Sequence, residues 1–241
     1  MRVLIACEES QTTCKAFREA GHEAFSCDMV DCSGGHPEWH IKGDCLEVIN
    51  GDCIFSCQNG DMYVQEGAWD LVIAHPPCTY LSNVATRAYS LRVTPAEKVV
   101  ERWQNRAKAA VFFMQVAMCN AKRLCVENPI GFMNGAWRKP DQIIQPFFFA
   151  ENSDDIENYQ LKTTCLWLRD LPLLKRTNDL PKPAPVYVRE CADGTKKNVY
   201  FEENHGKIGD SKHKGNDMAA RSKTFPGVSR AMVEQWGCLA E

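Results

Sequence analysis

The stretch RVLIACEESQTTCKAFREAGHEAFSCD, residues 2–28, decides the fold. Arg2 to Ala6 is apolar and short, as one buried strand requires. A helix over Thr12 to Ala20 follows, stopped by Gly21. EAFSCD then makes a second strand ending on Asp28. Strand, helix, strand is the start of a parallel sheet, because parallel neighbours need a crossover between them. Working outward, WDLVIAHPP at 69–77 reads as a strongly apolar strand stopped by two prolines. A long helix fits Pro95 to Asn120, with Val99, Val100, Trp103, Ala107, Ala110, Val111, Met114 and Met118 at helical spacing. RLCVENP at 123–129 is a further buried strand. Thr224 to Gly237 closes the chain as a helix, with Thr224 as N-cap and Pro226 in the first turn. Residues 31–67 read as irregular. So do residues 130–215, where only TTCLWL, PVYV and NVYF are strand-like.

The expectation is an α/β fold with helices on both faces of the sheet and a small irregular insertion. Residues 1–129 form the core, 130–215 the insertion and a candidate recognition region, and 216–241 a helix packing back on the core. A chain of 241 residues with 44% hydrophobic residues can bury one large domain. Its first apolar run spans five residues, too short for a signal peptide or a membrane span, so a soluble, cytoplasmic protein with no membrane or obligate protein partner is predicted. Thirteen cysteines without a targeting segment read as buried thiols before disulfides. A net charge of −3 excludes a uniformly basic nucleic-acid binder. Between Lys162 and Arg230, however, 14 Lys/Arg face 8 Asp/Glu, so a basic surface sits on an acidic body. A solvated loop region is the plainer account of the same charges.

The chemistry-bearing residues fall at strand ends, where open α/β sheets gather ligands. Cys7 and Glu8 follow the first strand, Asp28 ends the second, and His75-Pro76-Pro77-Cys78 follow WDLVIA. Glu127 and Asn128 end RLCVENP. Asp28 suits the two hydroxyls of a ribose, and the Asp44 carboxylate after Gly43 suits an adenine amino group. Two prolines before Cys78 hold its thiol in one direction. The thiolate is the reactive form, favoured by nearby cations or helix amides. A Glu ending an apolar strand is expected to keep its proton toward neutrality and to donate it to a ring nitrogen. The alternatives are a structural thiol and an ion-paired or capping Glu. Cys27, Cys32, His36, His40, Cys45, Cys53 and Cys57 include enough ligands for zinc. Their spacings lack the tight Cys-x-x-Cys pattern, and no metal is assigned.

At these residues the chain resembles the DNA cytosine-5 methyltransferase family, in a small, phage-like form. VIAHPPCTYLS is similar to the family's Pro-Cys motif and implies Cys78 as nucleophile. CVENP is similar to its Glu-Asn motif and implies Glu127 at the cytosine ring. Residues 4–28 resemble the opening cofactor motif with Asp28 as the ribose acid. HIKGDCLEVI resembles the adenine-contacting motif with Asp44. TFPGVSRAMVEQWG resembles the closing helix. The resemblance implies a Rossmann-like sheet and S-adenosyl-L-methionine as cofactor, contacted by Cys7, Glu8, Asp28, Asp44, His75 and Pro76. It implies DNA as partner, contacted by Pro77, Asn128, Lys162 and Arg169. Trp137, Trp167 and Tyr187 are candidates for base stacking, with core packing as the plainer role. The sequence departs from the family in three places. SQTTC carries no glycine where the cofactor loop is glycine-rich, Thr79 replaces a Gln, and LKTTCLWLR is only the nearest counterpart of a Gln-Arg-Arg strand.

Two other functions fit parts of this pattern. An amino-group methyltransferase acting on adenine N6 or cytosine N4 would use Asp or Asn before Pro-Pro and an aromatic after it. Here His75 and Cys78 hold those places. A catalytically inactive methyltransferase fold that binds nucleic acid suits the missing glycines but not the presence of both Cys78 and Glu127.

Overall fold

The computed structural model describes residues 1–185, 187–190, 194–199 and 224–239. The strands are β1 (Arg2–Ala6), β2 (Glu23–Asp28), β3 (His40–Lys42), β4 (Cys53–Ser56), β5 (Met62–Gln65) and β6 (Leu71–Ala74). They continue as β7 (Arg123–Pro129), β8 (Gln142–Ile144), β9 (Thr164–Arg169), β10 (Tyr187–Glu190) and β11 (Lys196–Val199). The helices are α1 (Thr12–Glu19), α2 (Ala96–Ala117), α3 (Met133–Ala136) and α4 (Pro226–Trp236).

Seven strands form one sheet in the order β3-β2-β1-β6-β7-β9-β8. The first five are parallel to one another, and β9 runs antiparallel to both β7 and β8. The order reverses between β1 and β6, and at such a switch point the strand ends part to leave a crevice.

Alternate residues of the central strands feed two cores. Val3, Ile5, Leu71, Ile73 and Cys125 pack with Cys14 and Phe17 of α1 and with Ala231, Met232 and Trp236 of α4. Leu4, Ala6, Val72, Ala74, Leu124 and Val126 pack with Phe113 and Val116 of α2. The sheet is thus covered on both faces, as unbroken apolar strands such as LVIA require.

Three expectations need correction. Residues 142–169 are not an insertion. Their strands β8 and β9 extend the main sheet, with Glu127 opposite Leu166 and Asn128 opposite Cys165. Residues 31–67 contain β3 and the antiparallel hairpin β4–β5. Its Phe55 and Tyr63 ring centroids lie 5.0 and 4.7 Å from that of Phe25. Of the residues at helical spacing on α2, Val99 is buried and Ala110 and Met114 pack against the core, but Val100, Trp103, Val111 and Met118 face solvent, and Arg106, Phe113 and Val116 are buried beside Val99. No helix among the described residues is long and apolar enough to cross a membrane.

Candidate active site

The backbone of β6 carries its parallel pairing one residue further, the His75 amide donating to the Ala6 carbonyl at 2.9 Å. The two prolines then turn the chain out of the sheet. Pro76 is buried, while Pro77, Cys78 and Thr79 are exposed. Asn128 fixes this turn from the neighbouring strand, its Nδ2 donating to the Pro76 carbonyl at 2.6 Å. Asn128 is itself 3% exposed, so this is a buried bond with no solvent to replace it.

Beyond Cys78 the chain makes a tight turn, with the Leu81 and Ser82 amides donating to the Cys78 carbonyl at 3.0 and 2.8 Å. That turn is stitched to the chain leaving β7. The Phe132 amide donates to the Leu81 carbonyl at 2.7 Å, and the Asn83 amide to the Ile130 carbonyl at 3.2 Å. Gly131 lies in the seam, where a Cβ would sit 2.0 Å from the Leu81 oxygen. On the other side, Arg106 Nε of α2 donates to the Tyr80 carbonyl at 2.9 Å. Its guanidinium lies 3.6 Å from the Tyr89 ring centroid. The loop bearing Cys78 is therefore held by β7, by the segment after it and by α2.

Glu127 and His75 meet at the ends of β7 and β6, with His75 Nδ1 and Glu127 Oε2 3.1 Å apart. The His75 side chain is 9% exposed and that of Glu127 25%. Burial alone lowers the imidazole's pKa, but the hydrogen bond and charge of Glu127, with the charge of Glu8, outweigh it. Against opposition from Lys162, the net effect is a value above the ordinary one. Cys78 is close enough to feel the same groups. Burial and the Glu127 charge raise its thiol above the usual range, and Lys162 partly offsets them. Cys78, Glu127, His75 and Lys162 thus form one electrostatic unit.

Two cavities flank the His75–Cys78 turn. The smaller, about 30 Å³, is lined by His75, Glu127, Lys162 and Thr164, and by residues 224, 225, 228 and 232 at the start of α4. The larger, about 250 Å³, is lined by Cys7, Cys27, Asp28, Met29, Gly43, Asp44, Cys45, Pro77 and Phe112. Asp28 ends β2, and its Oδ1 accepts the Val30 amide at 3.2 Å. Asp44 caps the short turn Cys45–Glu47 by accepting the Leu46 amide at 3.0 Å. Both carboxylates are held in place by backbone amides.

Five expected residues therefore stand together around this turn: Cys78 and Glu127 with Lys162, and Asp28 with Asp44 across Pro77. Cys7 also lines the larger cavity, but His75 and Pro76 do not. His75 is bonded to Glu127, and Pro76 is turned inward, so Pro77 takes the place on the cavity wall. Glu8 is 4% exposed, and its two oxygens accept the Thr13 and Cys14 amides of α1 at 2.7 and 3.1 Å. It caps a helix N-terminus, where a carboxylate also meets the helix dipole favourably.

Arg169 is the clearest correction. It pairs with Leu124 at the far end of β7 from Glu127. Its guanidinium donates to the carbonyls of Cys119 and Ala121 at 2.7 and 2.8 Å, just past the end of α2. It holds a helix C-terminus, at the end of the sheet away from Glu127. Asn128 spends its amide on the Pro76 carbonyl. Trp167 is 1% exposed, with its indole donating to the Arg138 carbonyl at 3.0 Å, and Trp137 packs edge-on to Phe113. Both belong to the core. The Tyr187 side chain and much of the basic stretch 162–230 lie outside the described residues.

The Cys/His stretch is dispersed. His40 bonds Ser26 Oγ at 2.8 Å and the Val30 carbonyl at 2.9 Å, while His36 pairs with Glu38. Among the described residues no group of three or more His, Cys, Asp or Glu is gathered for a metal. Sequence reasoning missed Arg106 and Gly131. The first shows only as a cation among apolar neighbours on a helix, and the second only as a glycine two residues beyond Pro129. Neither the protein-family models nor the curated proteins contain a match to this chain.

Proposed function

We propose that this protein is an S-adenosylmethionine-dependent methyltransferase with a Rossmann-like sheet that methylates carbon 5 of cytosine in DNA. The observation that carries the reading is that the Asn128–Pro76 and His75–Glu127 bonds pin the turn bearing Cys78 to the end of β7 that bears Glu127, whose charge acts on the thiol. A nucleophile and a proton donor that attack opposite ends of one ring double bond system need this proximity.

The larger cavity fits the cofactor on two counts. Its lining carries two carboxylates and no Lys or Arg. That favours a cationic sulfonium and opposes the phosphates of a dinucleotide. Its position at the switch point puts Asp28 at the tip of β2, where a ribose acid belongs. Phe112 offers an apolar wall for an adenine. S-adenosylmethionine would supply the methyl group there.

The chain's own residues then divide the work. Cys78 adds as thiolate to C6 of the pyrimidine while Glu127 gives a proton to N3, so the ring accepts the addition without a full negative charge. The two events assist each other. A protonated Glu127 no longer carries the charge that raises the Cys78 thiol, so that only burial is left to oppose Lys162. After methylation at C5, loss of the C5 and N3 protons to solvent lets Cys78 depart and leaves Glu127 as the carboxylate, to be protonated again before the next turnover. C6 is shielded inside a duplex, so the target base must be extruded or single-stranded. The exposed placement of Cys78 on a turn outside the sheet suits a base arriving from solvent.

The test is a trap with DNA containing 5-fluorocytosine and S-adenosylmethionine. A denaturation-resistant adduct that maps to Cys78 and is lost in Cys78→Ser is expected. Methylated DNA without a trapped adduct, or no cofactor binding by calorimetry, overturns the reading.

A further inference from the structure

The group left unused at the site is the second nitrogen of His75. Nδ1 is committed to Glu127 at 3.1 Å. Nε2 is buried and has no hydrogen-bond partner in the protein. A buried ring nitrogen in that state loses its hydrogen bond to water with nothing in return unless something meets it. The cavity that His75 helps to line measures about 30 Å³. One water needs roughly 10–15 Å³ and two to four polar partners. The cavity has room for water, and it is lined by Lys162 and Thr164 as well as by the imidazole.

We propose that His75 is a positioning residue that loads the proton onto Glu127, receiving it at Nε2 from water held in this cavity and passing one on from Nδ1. The inference rests on the cytosine reading, in which Glu127 must start each turnover protonated. The step balances with hydronium from solvent as the proton source and water as its product. An O–H bond of the hydronium breaks as the N–H bond forms at Nε2, and the Nδ1–H bond breaks as an O–H bond forms at Glu127 Oε2. The imidazole changes tautomer and keeps its charge, and one proton has moved from solvent to the carboxyl.

The charged groups facing the imidazole are few. Glu127 comes from β7, Glu8 from the loop after β1, and Lys162 from the segment before β9. From the α4 side the cavity wall is Thr224, Phe225, Val228 and Met232, none of which titrates in the working range. Burial lowers the imidazole's value, but with two carboxylates against one ammonium it is held above the ordinary one.

The decisive variant is His75→Asn, which keeps a donor near the Nδ1 position and removes the relay nitrogen. Methylation kcat is expected to fall by about 10- to 100-fold. KM for DNA and for S-adenosylmethionine should change less than about twofold, and the pH dependence of kcat contributed by His75 should vanish. An unchanged pH profile overturns the proposal, and so does a loss carried by KM alone. A second measurement needs no turnover. In ¹⁵N-histidine NMR, Glu127→Gln should lower the titration midpoint of His75, and an unmoved midpoint overturns the pairing even if His75→Asn fails to fold. Absence of methylation by the wild type sinks the proposed function. An unmoved His75 midpoint sinks this inference alone.

Discussion

Replacing Gly131 by alanine tests whether the stitched loops, and not Cys78 and Glu127 by themselves, make the site. The added Cβ would lie 2.0 Å from the Leu81 oxygen and 2.8 Å from its carbonyl carbon. Both are backbone atoms, so no side chain can swing aside. To reach even the tightest tolerable contact, near 3.0 Å, the two segments must part by about 1 Å. That separation stretches the Phe132–Leu81 and Asn83–Ile130 bonds, now 2.7 and 3.2 Å. Overpacking of this kind costs about 1–3 kcal/mol. For a chain of this size that is a fall in Tm of roughly 2–12 °C. The functional cost is larger, because a misplacement of about 1 Å lowers rates by about 10²-fold. On the proposed function, Gly131→Ala should therefore lose about two orders of magnitude in methylation kcat while still binding S-adenosylmethionine, because the larger cavity proposed for it is lined by Pro77 and not by the seam residues. Calorimetric unfolding, cofactor titration and single-turnover methylation together measure this. A variant within twofold of wild-type rate would show that the seam does not position Cys78.

Four further outcomes follow from named contacts. Asn128→Asp removes the donor to the Pro76 carbonyl without changing shape. It should destabilise by about 1–3 kcal/mol and lower kcat more than KM, and a pure KM effect would return Asn128 to the substrate. Arg169→Met should cost about 1.5–3 kcal/mol in denaturant unfolding through the lost carbonyl bonds beyond α2, and DNA affinity that falls with it would refute the helix-end role. Glu127→Gln removes the charge that raises Cys78, so iodoacetamide labelling of Cys78 at pH 8 should quicken by up to about tenfold, whereas Lys162→Met should slow it. Peptide mass spectrometry reads both, and changes of the opposite sign would refute the coupling. Because the His75 value is raised in the fold, the bond to Glu127 adds stability fully below the unfolded imidazole value, near 6.5. That gain is lost as pH rises through the raised folded value. The stability difference between wild type and Glu127→Gln should therefore shrink from pH 5.5 to 8, and a difference that grows would show the sign to be wrong.

How far the residues themselves disclosed this molecule depends on how locally each feature is encoded. β1, α1, β2, β6, β7 and α4 were legible because each is a continuous apolar or amphipathic run with a clear stop, such as Gly21 or Pro76. The hairpin β4–β5 was not, although Asn59-Gly60 between CIFS and MYVQ is a hairpin signal. Scattered Asp, Gly and Cys masked it, and its apolar residues alternate with exposed ones. β8 has three residues and depends on β9 for its edge, so no local run announces it. The exposed stripe on α2 was mistaken for its core face because Val, Trp and Met repeat there at the right interval. Burial was decided instead by Arg106, which tertiary contact with Tyr89 and Tyr80 draws inward. At the site, strand-end logic singled out Cys78, Glu127 and Asp28, which the fold carries at one edge of the sheet. Arg169 was named from the family resemblance, which does not say that an antiparallel β9 places it opposite Leu124, at the far end of β7 from Glu127.

The missing glycines after β1 show the same limit from the other side. SQTTC looks incapable of the tight backbone turn that a cofactor loop needs. Yet Cys7 and Gln11 both stand in the left-handed region, at φ 61° and 57°. Each such residue costs about 1–2 kcal/mol relative to an ordinary conformation, which a glycine would avoid. The surroundings impose it. Gln11 is fully buried and clamped by its amide, which donates to the His36 carbonyl at 2.8 Å and accepts the His36 amide at 3.0 Å. Glu8 between them is fixed by two amides of α1. A glycine would supply the dihedral angle but none of these bonds. The loop is therefore shaped by tertiary contact where a glycine-rich one is shaped by its own backbone freedom. Strain held beside a cavity in this way is what a binding loop set in advance for its ligand requires.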